Sequence, residues 1–424
     1  MIMKNRYLPR IADAKLALAL DAMGAVLIEG PKWCGKTSTA EHIAKSVLYL
    51  QDPDMFEENM LKAKTKPSLL LEGATPRLLD EWQVAPVLWN AVRFAVDKRQ
   101  ETGQFILTGS VVPVRTEDMH SGTGRISRMK MRTMSLFESG ESSGEISLGD
   151  IFDGKNEMFG KSDVTLEQIA FILTRGGWPA AVNERNETLA LKKVSDYYEA
   201  VSCEDISRVD NVEKSPERVR SLMRSLSRNI SSEASTTTIL NDLRANDESL
   251  SQVTIDQYIN ALKILFVIED LPAWSPSLRS KTAIRTTAKR YFSDPSIATA
   301  ALGATTKRLF NDFRTFGLLF EALCIRDLRI YADSLNGSVY HYRDAKGVEV
   351  DAIIQKNDGC WGAVEVKMGA GDIETAAEHL IKFKANIDMT RMQQPSFLMV
   401  LTATETAFQM GNGVWVVPLG CLRD

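Results

Sequence analysis

Short apolar runs and longer amphipathic stretches alternate along the 424-residue chain, and their rhythm changes twice. In the first third, the runs in "GAVLIEG", "PRLLDEWQ" and "GQFILTGS" are separated by the helix-like stretches "TSTAEHIAKSVL" and "VLWNAVRFAVDKR". Strand, helix, strand, helix, strand is the rhythm of a parallel α/β sheet, which binds its ligands at the C-terminal edge of the strands. From about Thr165 to Ala300 the pattern is mostly helical. There Ile255, Ile259, Leu262 and Phe266 fall on one stripe at helical spacing. Upstream, "STTTILNDLRAN" reads as a helix capped by Ser or Thr, and "ESLSQ" as a turn. Helix, turn, helix and then an apolar run ending at Pro272 is the order of a winged helix-turn-helix. The last third runs from the helix-like "FGLLFEALCIRDLRIYA" into "SVYHYRDAKGVEVDAIIQ" and "WGAVEVK". The helix "IETAAEHLIKFKANI" and the strands "SFLMVLTA" and "VWVVPL" follow. The expectation is an α/β protein in three parts: residues 1–160, a helical region 161–305, and an α/β domain 306–424.

Composition narrows the classes. Hydrophobic content of 44%, charged content of 25% and a net charge of −4 suit a globular protein and exclude a generally polycationic nucleic-acid binder. They leave room for a local basic groove. Cys34, Cys203, Cys324, Cys360 and Cys421 form no CxxC pair, which suits a reducing compartment. The four histidines form no HExxH, so no zinc site is expected. No apolar run approaches bilayer-spanning length and the start lacks an apolar signal segment, so a cytoplasmic protein without a membrane partner is expected.

The chemistry of the first third is carried by Gly30-x-x-x-x-Gly35-Lys36-Thr37, set between an apolar run and a helix-like stretch. Such a loop curls its backbone N–H groups around phosphates, and its glycines permit the close approach. Gly30, Pro31, Lys32, Trp33, Cys34, Gly35, Lys36, Thr37 and Ser38 are the expected ATP-binding residues, with Lys36 neutralising phosphate charge and Thr37 ligating Mg²⁺. Asp80 is expected to hold the magnesium shell and Glu81 to polarise the attacking water, although two acids after two leucines equally suit a helix N-terminus. Ser110, in preference to Thr108, is placed to sense the γ-phosphate. The Gly- and Ser-rich segment that follows carries Arg125, Arg128, Lys130 and Arg132. It reads either as a solvated surface loop or as the source of an arginine finger, Arg125 first and Arg128 next. A finger acting on a neighbouring subunit requires a homo-oligomeric ring or filament.

"VLIEGPKWCGKTSTA", "LLDEWQ", "FILTGS" and "GRISRMKMRTMSLFESGES" together resemble the AAA-type ATPase domain of a large bacterial and archaeal family whose C-terminal region is poorly characterised. The resemblance implies nucleotide and magnesium roles for Lys36, Thr37, Asp80 and Glu81.

The middle third contributes a basic run, Arg279, Lys281, Arg285, Lys289 and Arg290, suited to a wing lying along nucleic-acid phosphates. Its preceding helix offers only Gln252, Gln257, Asn260 and Lys263 for reading bases, which favours a packing module instead. In the last third, the order helix, three strands, helix, strand is similar to the restriction-endonuclease-like core of the PD-(D/E)XK superfamily. Asp351 and Glu365-Val366-Lys367 match its acid and E-x-K, Glu321 lies on the leading helix, and Val350 replaces the usual proline. Side chains two apart on a strand share a face, so Glu365 and Lys367 project together. Asp351, Glu365 and Glu321 are the expected Mg²⁺ ligands, and Lys367 the residue that positions water. The alternative is a half-buried sheet whose E-x-K makes a cross-strand charge pair.

Overall fold

In the computed structural model, the run Ala25–Glu29 forms β1 at the heart of a five-stranded parallel sheet. The structure describes residues 7–110, 121–155, 157–209, 212, 214–276, 287–344, 347–387 and 392–424. Ser46–Tyr49 (β2), Arg77–Asp80 (β3), Phe105–Gly109 (β4) and Ile126–Lys130 (β5) complete the sheet, in the order β2-β3-β4-β1-β5. Ala25 and Leu27 pack on one face with Leu79, Phe105, Leu107, Trp82 and Trp89. Val26 and Ile28 pack on the other with Leu16, Leu78, Ile106 and Met129. Both faces are covered, which is why these strands are continuously apolar instead of alternating.

β5 overturns the reading of the Arg-rich segment as a surface loop. Ile126 and Met129 are buried, and β5 pairs with β1 through Ala25↔Ile126 to Glu29↔Lys130. The two apolar residues, together with the backbone ladder along β1, hold a strand whose other side chains are polar.

The chain divides into two compact units. The first comprises Met1–Thr133, Ser207–Val212 and Ala261–Phe266; the second comprises Met134–Ile206, Glu213–Asn260 and Val267–Asp424. The segment after Thr133, expected with the first part, lies in the second unit. Its strands Ile146–Ser147 (β6) and Gly160–Lys161 (β7) pair with strands close to the other end of the sequence, described below.

In the second unit, helices Leu166–Arg175, Glu187–Ala200, Pro216–Arg228 and Thr236–Arg244 come first. Helix Gln252–Ile264 follows, its residues from Ala261 on belonging to the first unit, and then, in the second unit, an antiparallel ribbon of Ile268–Leu271 (β8) and Lys289–Phe292 (β9). Ile255, Ile259 and Leu262 are buried, but the helix ends at Ile264, and Phe266 lies beyond it with a φ of 56°. Arg279, Lys281 and Arg285 lie outside the described residues.

A long helix, Phe313–Ser334, then leads into Gly337–Arg343 (β10), Glu349–Lys356 (β11) and Trp361–Lys367 (β12), successively antiparallel. Helix Ile373–Asn386 crosses over to Phe397–Thr402 (β13), parallel to β12. Thr406–Gln409 (β14), Trp415–Pro418 (β15) and Leu422–Arg423 (β16) finish the chain. The main sheet runs β10-β11-β12-β13-β15-β14-β7, and β16 pairs separately with β6. The crossover helix packs Ala376, Ala377, Leu380 and Phe383 against Ile353, Trp361, Ala363 and Val400.

A buried ionic node braces this unit. Arg326, inside the long helix, pairs with Asp294 at 3.1 Å and Asp327 at 2.7 Å. Asp294 also accepts the Gly177 N–H at 2.9 Å, and Asp327 accepts the Leu136 N–H at 2.9 Å. The node therefore anchors residues just after Thr133 through backbone groups. Among the described residues, no helix is long and apolar enough to cross a membrane.

Candidate functional site

The phosphate loop leaves β1 at its C-terminal end. Gly30 (φ 159°) runs so close to Met131 that a Cβ there would lie 2.1 Å from its carbonyl oxygen. Gly35, with φ 102°, sits in the left-handed region that opens helix Lys36–Ile43. Trp33 adopts φ 66° and is exposed. The Lys36 ammonium is buried and donates to the carbonyls of Gly30 (3.0 Å) and Pro31 (2.8 Å).

The expected partners converge on it. Thr37 donates to Asp80 Oδ1 at 2.7 Å, and Thr108 donates to the same oxygen at 2.7 Å. Glu81, held at φ 54°, accepts from the Ser110 hydroxyl at 3.0 Å and from Gln83, while its own N–H reaches Thr108. A left-handed acid at a strand end is strained backbone of the kind concentrated at functional sites. The Thr37 hydroxyl and the Asp80 carboxylate are adjacent hard oxygen donors, the chemistry Mg²⁺ takes. Thr108 and Ser110 thus divide the work, one orienting Asp80 and the other Glu81.

The arginines are placed differently. Arg125 precedes β5 at the edge of the sheet opposite the loop, where it pairs with Asp97 at 2.7 Å. It does not reach the phosphate loop of its own chain. Arg128 lies on the edge strand, pairs with Glu29 at 2.7 Å and stands over Trp89.

Two residues near the start were missed. Arg10, 7% exposed, donates to the Cys34 carbonyl in the loop (2.8 Å) and the Arg132 carbonyl (2.9 Å), clamping the loop from behind. Tyr7 stacks on His42 at 4.6 Å and bonds Asp13 and Thr39, pinning the N-terminal segment to the helix after the loop. "YLPR" before an apolar helix was the available signal, but it has no motif.

In the second unit, β11 and β12 bring three of the expected residues together. Ile353 pairs with Ala363, so Asp351, two residues earlier, falls beside Glu365. Asp351 accepts the Val366 N–H at 2.8 Å. Glu365 is buried and accepts from Lys367 at 3.0 Å, with His379 Nδ1 at 2.9 Å on its other oxygen. Glu321 accepts from Tyr291 at 2.8 Å and lies 3.5 Å from Lys289 Nζ. Burial first, and then the Asp351 charge, pushes Glu365 up to about 8 and Glu321 up to about 7. A cluster that retains protons to this degree is short of positive charge, the condition a divalent cation relieves. Yet each carboxylate already has a protein donor, and among the described residues no group of three His, Cys, Asp or Glu side chains is gathered as a metal site. The donor types fit Mg²⁺; their present arrangement is that of an internally satisfied network.

Of the basic run, Lys289 and Arg290 face acids, as the packing reading expects of them. Lys289 is 5% exposed against Glu321, and Arg290 lies 3.5 Å from Asp270.

Residues 23–139 match the family model described as an AAA domain. Residues 166–308 and 316–422 match two models each described as a domain of unknown function, DUF8612 and DUF4143. No curated protein matches the chain. A solved Walker-type ATPase of Pyrococcus abyssi is similar at 14% identity and a TM-score of 0.43, with 70% of this chain and 97% of that one covered. The AAA match falls on the stretch that carries the phosphate loop and its acids, and supports an AAA-type P-loop ATPase.

Proposed function

We propose that the protein hydrolyses ATP at the phosphate loop and uses that cycle to control metal-dependent cleavage of nucleic acid at the carboxylate cluster. At the loop, backbone N–H groups and Lys36 hold the phosphates. Thr37 and Asp80 hold Mg²⁺, which when bound neutralises charge on the phosphate oxygens. Glu81, oriented by Ser110 and Gln83, takes the proton of the attacking water. Arg125 or Arg128 serves a neighbouring subunit's phosphates only in a ring or filament.

The nuclease part rests on one observation: Asp351, Glu365 and Lys367 stand side by side, in the element order of a restriction-endonuclease-like core. Asp351 and Glu365, with Glu321, would hold the ion, which supplies Lewis acidity at the scissile phosphate. Lys367 positions the water, and His379 holds the Glu365 carboxylate in place. The helices and ribbon ahead of it would serve as a winged-helix packing module, a reading supported by Lys289 and Arg290 facing Glu321 and Asp270.

The test incubates the protein with Mg²⁺ or Mn²⁺ and single- or double-stranded DNA and RNA, with and without ATP. Cleavage should depend on ATP and vanish in Asp351→Ala and Lys367→Ala; cleavage persisting in both variants places the activity elsewhere. A second reading, a nucleotide-dependent switch whose last domain only binds, is favoured by the internal partners of every carboxylate. It predicts ATP-dependent nucleic-acid retention with no cleavage under any metal.

A further inference from the structure

The ribbon reaches into the carboxylate cluster. Lys289 opens β9, paired with Leu271 of β8, and Tyr291, two residues on, shares its face of the strand. Both side chains meet the same oxygen, Glu321 Oε1, the hydroxyl at 2.8 Å and the ammonium at 3.5 Å. Lys289 is 5% exposed, and a lysine is seldom buried without a strong electrostatic reason. Burial pulls its pKa down, but the charges of Glu321, Asp351 and Glu349 outweigh this and hold it raised. The carboxylate of the cluster that the ammonium touches is Glu321. On the other side of the cluster, Lys367 performs the same service for Glu365.

We infer that Lys289 is the resident cation of the carboxylate cluster, standing in the charge position that a divalent metal ion would take, so that the ribbon governs metal entry. The inference rests on the reading of Asp351, Glu365 and Glu321 as a metal site. With Lys289 in place, a divalent ion meets an ammonium at close range and a Glu321 carboxylate already engaged. With the charge gone, the cluster is left over-negative, while Glu321 keeps the hydrogen bond from Tyr291. Repulsion between cations a few ångströms apart is worth about tenfold or more in affinity at protein-surface dielectric. Lys289 is a positioning residue here, since it acts through Glu321.

The experiment measures Mn²⁺ binding to the full chain without nucleotide, by the loss of free-ion electron spin resonance signal. It compares the wild type with Lys289→Gln and Lys289→Arg, each with and without Asp351→Asn. The Gln variant keeps a donor for Glu321, which protects folding, and the Arg variant keeps the charge. Lys289→Gln should bind Mn²⁺ about tenfold more tightly than wild type and lose the gain with Asp351→Asn, while Lys289→Arg stays at the wild-type value. No gain in Lys289→Gln, alongside Asp351-dependent binding in the wild type, overturns the role of the lysine but leaves the metal site standing. An equal gain in Lys289→Arg also overturns it. A gain indifferent to Asp351→Asn shows that the ion binds elsewhere and removes the metal-site reading. Absence of binding in every variant removes both.

Discussion

At the phosphate loop, Gly30 to Ser38 come from one unbroken stretch and their partners from the ends of two nearby strands. The carboxylate cluster draws Glu321, Asp351, Glu365, Lys367 and Lys289 from a helix, two sheet strands and a ribbon. The first site is mostly backbone geometry, fixed by glycines and a left-handed acid, with side chains bonded to one another as neutral or singly charged pairs. The second is a crowd of buried charges whose balance depends on elements far apart in sequence. A site of the first kind is easy to recognise and is damaged through a single residue. One of the second kind is held by its counter-charges, so its response to pH and to neighbouring charge is its signature.

The contrast can be tested at each end. Lys36→Ala should lower ATP turnover by about 100- to 1,000-fold or more, followed by phosphate release. Glu81→Gln should slow turnover while nucleotide still binds. Turnover left intact by Lys36→Ala would end the assignment of the first site. Next in size, Arg326→Met should destabilise the second unit by about 3–5 kcal/mol, because it strands Asp294 and Asp327 in the interior. Thermal denaturation would show this as a lowered transition, and an unchanged transition would mean that the node adds little.

A smaller effect follows from the raised carboxyls. Glu365 at about 8 and Glu321 at about 7 keep protons in the folded state that the unfolded chain releases near about 4.3. Their contribution is fully present below that value and is lost as pH rises through the folded values. The second unit should melt at a lower temperature near about pH 9 than near about pH 6, and Glu365→Gln should flatten the slope. A wild-type profile without that fall would place the cluster outside the charge-crowded class. The smallest effect is expected from Arg125→Ala. Its exposed pair with Asp97 is worth about 0–1 kcal/mol, and turnover of dilute protein should not change. A loss that appears only as protein concentration rises would signal an arginine acting between subunits.

These outcomes bear on what was legible in the sequence. Gly30 to Thr37, Asp80–Glu81 and Glu365-Val366-Lys367 could be read because their chemistry is compressed into a few adjacent residues next to an apolar run. β5 could not be read: only Ile126 and Met129 are apolar, and the ladder to β1 that makes it a strand is a tertiary fact. Lys289 reads in the sequence like the other members of its basic run, since local sequence does not tell a buried ammonium from a solvated one. Arg10 carried no motif, and its role appears only when the loop and the end of β5 are folded beside it. Arg326–Asp327 did leave a trace. Three charges, Arg326, Asp327 and Arg329, inside the otherwise apolar "ALCIRDLRIYA" are costly on a buried helix unless they are paired.

The strands after Thr133 carry a consequence for how the chain is made. Among the described residues, β6 completes its ladder with Leu422 and Arg423, and β7 with Thr406 and Ala407. During synthesis the ATPase sheet has every strand it needs once Lys130 has emerged. The stretch directly behind it must wait for nearly three hundred more residues before its backbone finds partners. Such long-range closure is slow, and it leaves open strand edges exposed in the meantime. The protein would thus pass through a stage in which a completed five-stranded sheet is followed by an unfinished second unit, and removing the last few residues would strike the segment just after that sheet first.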